Sequence, residues 1–471
     1  MLFNSYTFIF GFLPLVVLGF ALCTRAPARQ PAMVFLASAS LVFYGWWNWH
    51  YLFLLLFSIV FNYGWGLLLH RRAVAVAGQV TTTRRALLSV GVTVNLGMLA
   101  YFKYADFFIG TVDAAFGWHW ELLHLTLPLA VSFFTFEQIT YLVDAYFGAP
   151  RQHVFLDYAL FMTFFPRLIA GPIIRPREIL PQLTRASTYT MCAANLNAGL
   201  LIFAIGLFKK VMIADAFSPL VGPIFDRVGP TSFSDAWGAT LAFTLQIYFD
   251  FSGYSDMAIG LALLFNIRLP ENFNSPYQAH TIIDFWRRWH MTLSNFLRDY
   301  LYIPLGGNRK GSARRYVNLM ITMGLGGLWH GASWTFALWG ALHGIYLTIN
   351  HLWQRTRIQL PPAVAWPLTF VAVMVGWVFF RAHSLDTTQR ILAGMVGLNG
   401  FAWDPFPYSI GRKEYQMIAA ALVMVLFCPN RQALMEWEWT SDRIYAIAFT
   451  VLAAVPILRL GDPTPFVYFQ F

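Results

Sequence analysis

An all-α polytopic membrane protein is the fold class this sequence predicts, and three observations carry the prediction. Hydrophobic residues fill 58% of the 471 positions and charged residues only 11%, against about 25% charged in soluble chains. The mean hydropathy is +0.55. The apolar residues also fall in long runs, and a helix needs about 20 of them to cross the hydrocarbon of a bilayer. Such a chain faces lipid or other apolar segments over most of its length, which excludes a soluble multidomain protein.

In chain order the runs are 7–23, 32–47, 51–69, 86–102, 196–213 and 237–265. Then come 317–349, long enough for two spans, and 366–380, 415–427 and 444–458. With short and broken segments allowed for, the expectation is about ten to twelve transmembrane helices. The first run has no basic n-region and no small-residue cleavage pattern, so it reads as a retained helix rather than a signal peptide.

The flanks agree with a membrane setting. The cluster Tyr44, Trp46, Trp47, Trp49 and Tyr51 reads as an aromatic belt around a tight turn, because these rings keep one edge wet at the headgroup level. The net charge of +10 fits basic cytoplasmic loops rather than nucleic-acid contact. Arg25 and Arg29 follow the first run, and Arg71, Arg72, Arg84 and Arg85 the third. The loop beyond Lys103 carries Asp106, Asp113 and Glu121. This bias puts the first and third loops in the cytoplasm and the N-terminus outside. Cys23, Cys192 and Cys428 are scattered and form neither a disulfide framework nor a metal motif.

Two stretches cannot be simple spans. Residues 157–183, DYALFMTFFPRLIAGPIIRPREILPQL, are apolar but interrupted by Pro166, Gly171, Pro172, Pro176 and Pro181. Proline removes a backbone donor, and broken backbone at membrane depth survives only where protein or water satisfies it. A re-entrant or interfacial segment is expected. Residues 268–315 are rich in charge and aromatics, which predicts amphipathic helices on or in the cytoplasmic face. No soluble domain or internal repeat is evident, so 1–471 reads as a single membrane domain.

Polar residues that lipid rejects point to function, since a charge at the bilayer centre costs roughly 2.5–3.5 kcal/mol. His330 lies in GLGGLWHGASWTFALWGALHG, with glycines at 324, 326, 327 and 331 around it. Small residues allow close helix packing or substrate approach, so His330 is either a packed structural histidine or a general base. His290, in FWRRWHMTLS, is either a second functional group or an interfacial histidine. In QIYFDFSGYSDMAIGLAL, Asp250, Ser252, Tyr254, Ser255 and Asp256 point in nearly every direction around a helix. This excludes a lipid-exposed helix, and leaves either a polar network that locks neighbouring helices together or a direct part in catalysis. Trp329 belongs to the same group of tunnel-lining or structural candidates. His343 and His351 lack a carboxylate partner or metal-site spacing. Arg309, Lys310, Arg314 and Arg315 form a basic loop, solvated or in contact with donor phosphates.

With these residues in view, the chain resembles the membrane-bound O-acyltransferase superfamily, in the bacterial branch of exopolysaccharide O-acetylases. The resemblance rests on FFPRLIAGPIIRP at 164–176, YFDFSGYSDMAIG at 248–260 and PENFNSPY at 270–277. It continues through DFWRRWHMTLSNFLRDYLYIPLGGNRKG at 284–311, GLGGLWHGASWTFALWGALHG at 324–344, WVFFRAHS at 377–384 and the terminal PFVYFQF at 465–471. It spans nearly the whole chain and is most specific over 164–384.

The resemblance implies that His330, in the WHG motif, is catalytic and that His290 occupies the second signature position. It implies a ring of helices around a central tunnel or funnel, with an acyl thioester entering from the cytoplasm. The expected donor is acetyl-CoA or an acyl carrier, with no permanently bound cofactor and no metal. The expected acceptor is an extracytoplasmic polysaccharide such as alginate or cellulose. Delivery through a periplasmic partner protein and a place in the bacterial inner membrane are also expected. The oxyanion donor could be His290 or a backbone N–H near Gly327. A D-alanyl transferase for teichoic acids is the alternative within the fold. A transporter or flippase is the alternative outside it, although the repeat symmetry usual in transporters is not evident.

Overall fold

The computed structural model describes residues 1–75, 81–148, 154–401, 410–436, 442–461, 464, 466 and 467, and these contain helices but no strand. Helices form where the apolar runs predict them. Run 51–69 becomes His50–Ala75, run 237–265 becomes Phe233–Leu264, and run 366–380 becomes Pro362–Arg381. The long run 317–349 is two helices, Gly311–His330 and Trp334–Thr356. Helix Val131–Tyr146 is one that the apolar runs did not predict. It carries Ser132, Thr135, Glu137, Gln138 and Thr140, polar residues that lower its apparent hydropathy and are nonetheless buried.

By length and composition, three helices among the described residues can cross a membrane: His50–Ala73, Thr82–Phe116 and Pro362–Arg381. Thr7–Cys23, Gln30–Gly45 and Ala448–Leu458 are shorter apolar helices. Phe233–Leu264 is long enough, but carries Asp235, Asp250 and Asp256. Over the described residues the chain is thus all-helical, with the apolar spanning helices of a multi-pass membrane protein.

The described residues group into two compact units, Met1–Phe203 with Met257–Pro270, and Ala204–Asp256 with Glu271–Phe471. In the first, the proline-rich stretch forms short helices Phe155–Thr163, Phe165–Leu168 and Pro176–Leu183. Its interrupted backbone finds partners: the Phe165 N–H donates to Ser40 Oγ at 3.1 Å, and the Arg167 guanidinium donates to the Phe161 carbonyl. Arg167 also pairs with Glu137, both side chains being nearly inaccessible. Gly199 and Gly260 permit a close helix crossing, since a Cβ on either would lie 2.7 or 2.5 Å from the other's carbonyl oxygen.

Two expectations change. Arg84, counted among the loop charges, is buried at the start of helix Thr82–Leu99. It donates to the Tyr146 carbonyl, so its charge reports packing as well as orientation. The neighbouring loop residues 76–80 lie outside the described residues, as do five of the seven residues of the terminal PFVYFQF motif. The charged stretch 268–315 is also less superficial than amphipathicity suggests. Phe273, Tyr277, Phe285, Trp289, His290 and Leu293 are buried. Its aromatic residues outnumber what one surface face can hold, and they pack on each other: Phe273 on Trp289 at 5.0 Å and Trp289 on Trp377 at 4.9 Å.

Candidate active site

The second unit brings both signature histidines together. His330 is the last residue of helix Gly311–His330, 6% exposed. The helix stops there because the chain turns through 331–333 into Trp334–Thr356. Glycines let these two helices touch. A Cβ on Gly327 would stand 2.3 Å from the Phe336 carbonyl oxygen, and one on Gly340 the same distance from that of Met323. Gly331 is extended, a conformation open to any residue; here it is the Phe336 ring, 2.1 Å from where a Cβ would stand, that excludes a side chain.

Aromatic rings enclose the His330 imidazole. Trp329, Trp339 and Phe380 lie 5.0, 5.1 and 5.2 Å from it between centroids, all edge-on. His290 lies between the short helices Ile282–Arg288 and Met291–Leu297, fully buried, with its ring centre 6.4 Å from that of His330. Imidazole nitrogens sit about 1.1 Å from the ring centre, so nitrogens of the two rings come no nearer than about 4 Å, too far for a direct hydrogen bond. An oxygen atom between them could bond to both.

His290 has left-handed backbone torsions, φ 42° and ψ 54°, which cost a non-glycine residue energy unless its surroundings impose them. Those surroundings are Asn272 and Phe251. The Met291 N–H donates to the Asn272 carbonyl at 2.9 Å, His290 Nδ1 lies 3.0 Å from Asn272 Oδ1, and the Phe251 ring packs against the imidazole at 4.7 Å. His290 lies outside the spanning helices, and burial holds it neutral, with its pKa lowered to about 3.

The polar helix divides its candidates. Asp250 pairs with Lys210 at 2.6 Å and accepts the Val467 N–H at 2.9 Å. Asp256 pairs with Lys209 at 2.7 Å and Arg431 at 2.8 Å. Both carboxylates are thus held by cations. Ser255 accepts from Asn272 Nδ2 at 3.2 Å, which links this helix to His290. Tyr254 stacks on Phe466 at 4.9 Å, and Ser252 is buried. His343 is fully buried and accepts the Trp286 indole N–H at 3.3 Å. The loop cations Arg309, Lys310 and Arg314 are exposed.

Sequence reasoning did not single out Asn272, Lys209, Lys210 or Trp339. The two lysines were the readable signal, since adjacent ammonium groups inside an apolar run require carboxylate partners. Asn272 lay in the PENFNSPY motif without an assigned role. Of the suggested oxyanion donors, Gly327 lies within a helix, where its N–H is committed to the helical ladder.

Apolar spanning helices and two buried histidines at converging helix ends make this a membrane protein with a candidate acid–base centre. Comparison with known proteins specifies the chemistry. The model of the membrane-bound O-acyltransferase (MBOAT) family matches residues 145–385. The chain is 46% identical to the peptidoglycan O-acetyltransferase of Helicobacter pylori, over 85% of this chain and 80% of that one. It is 38% identical to the probable alginate O-acetylase of Pseudomonas putida over 100% of both. To the teichoic acid D-alanyltransferase of Streptococcus thermophilus it is 26% identical, over 49% of this chain and 58% of that one. The chain belongs to the membrane-bound O-acyltransferase family and is an O-acyltransferase.

Proposed function

We propose that the protein moves an acetyl group from cytoplasmic acetyl-CoA to hydroxyls of an extracytoplasmic polysaccharide, with His330 as general base and His290 assisting. The observation that carries this reading is the spacing of the two buried imidazoles, 6.4 Å between centres, which leaves room for one reacting oxygen. The names of its relatives point to glycan acceptors, peptidoglycan in one case and alginate in the other. Cellulose is a further acceptor of the same class.

In this scheme the acceptor hydroxyl gives its proton to His330 as its oxygen attacks the thioester carbonyl. The C–O bond forms, the C–S bond breaks, and the proton passes from His330 to the departing thiolate. A positioned base contributes typically 10²–10⁴-fold, and holding both substrates in a narrow passage supplies the entropic part. The whole chain 1–471 would act as one domain in the bacterial inner membrane. About ten to twelve helices would surround a central tunnel, so that only the acyl arm of the large charged donor reaches the histidines. Arg309, Lys310 and Arg314, which are exposed, would meet donor phosphates, and a periplasmic partner protein would complete delivery.

The test is turnover of the purified protein with labelled acetyl-CoA and purified alginate, cellulose or peptidoglycan, with and without periplasmic extract. Label in polymer that disappears with His330→Ala supports the reading. Transfer only from a D-alanyl-loaded carrier protein would replace it with the teichoic acid reaction.

A further inference from the structure

Asn272 is 1% exposed and uses its backbone carbonyl and both polar atoms of its side chain at once. Its carbonyl takes the Met291 N–H. Its Nδ2 donates to Ser255 Oγ at 3.2 Å. Its Oδ1 receives the Thr292 hydroxyl at 2.9 Å, the Thr292 N–H at 3.4 Å and His290 Nδ1 at 3.0 Å. The orientation of an amide must be read from its neighbours. A backbone N–H can only donate, so the oxygen of Asn272 faces Thr292 and the nitrogen faces Ser255.

That orientation has a consequence for the imidazole. An amide oxygen is acceptor-only, so His290 Nδ1 must carry the hydrogen. A neutral imidazole has one N–H, and its other nitrogen is then a lone-pair acceptor. We infer that Asn272 is a positioning residue that fixes His290 as the Nδ1–H tautomer, so that Nε2 serves the reaction as an acceptor, holding a second hydroxyl of the sugar beside the one that His330 deprotonates, and cannot donate to the oxyanion. The inference rests on the proposed role of His290 in acyl transfer and goes beyond it. It gives the two histidines different tasks and leaves the oxyanion to another donor.

The backbone serves the same end. Asn274 N–H donates to the Arg288 carbonyl at 3.0 Å, so bonds on both sides of His290 tie its left-handed turn to the 272–274 strip. Asn272 therefore sets both where the ring sits and which nitrogen bears the proton.

A double-mutant cycle tests this, with acetyl transfer and detergent-solution melting measured on the full chain. Asn272→Leu removes the acceptor at similar volume. The expected result is about a tenfold fall in kcat, the factor that one lost hydrogen bond of typical strength represents, with KM for acetyl-CoA unchanged. Asn272→Asp keeps an acceptor and should restore most of the turnover. In a His290→Asn background no tautomer remains to be chosen, so Asn272→Leu should cost no further kcat. An equal fall in both backgrounds would overturn the inference and make Asn272 merely structural. Wild-type turnover in His290→Asn itself would sink the role of His290, a distinct failure. If Asn272→Leu does not fold, Thr292→Val, which deletes one donor to the same oxygen and spares the Nδ1 contact, should leave kcat within about twofold. A tenfold loss there would refute the tautomer argument.

Discussion

The two aspartates of helix Phe233–Leu264 look alike in the sequence, yet they should respond differently to neutralisation. Asp256 is the carboxylate partner of Lys209, at 2.7 Å, and also holds Arg431, at 2.8 Å. Asp256→Asn keeps the shape but leaves the Lys209 ammonium without a carboxylate in a largely buried site. Breaking a buried pair by removing one partner costs about 3–5 kcal/mol, and the retained amide oxygen puts this variant near the lower bound. Asp250 binds Lys210 at 2.6 Å, but Lys210 also holds Asp215 at 2.8 Å. The Val467 N–H that Asp250 accepts can bond equally to an amide oxygen. Asp250→Asn should therefore cost about 1–2 kcal/mol, the range of a weakened buried hydrogen bond. The assay is melting temperature in detergent beside acetyl-transfer turnover, for each variant and for Asp256→Asn combined with Lys209→Met. The double variant should melt above Asp256→Asn alone, because the stranded cation is gone. Asp250→Asn melting as low as Asp256→Asn would refute the partner argument. Native melting with a hundredfold slower rate in either variant would show that the carboxylate works in the reaction.

His330→Ala should abolish acetyl transfer while membrane insertion and expression persist; polymer acetylated at the wild-type level would remove His330 from the mechanism. His290→Asn should retain partial turnover, since an amide can still accept from a hydroxyl, and a loss as deep as that of His330→Ala would argue for two equal histidines. Gly327→Val should fail to fold or melt far below wild type, because even a Cβ there would stand 2.3 Å from a backbone carbonyl oxygen. Unchanged melting in that variant would contradict the helix contact that places His330.

The sequence by itself determined the solvent and most of the helices, and it singled out the two histidines as candidates. Those properties are local: an apolar run such as 366–380 carries its own hydrogen bonds when helical and needs only lipid or apolar neighbours. His330 stood out because a polar ring among glycines in an apolar run is costly without a purpose. Helix Val131–Tyr146 does not show as an apolar run because Glu137, Gln138 and Thr140 lower its hydropathy, whereas in the fold each has a hydrogen-bond partner. Only the tertiary structure decided who partners whom. Asp256 meets Arg431 from 175 positions away, and His290 finds Asn272 across 18. It also buried the aromatic residues of the 272–297 strip, whose charges had marked it for the surface. Ion pairing, burial and tautomer depend on which groups share a space, so they exist only once the chain has folded.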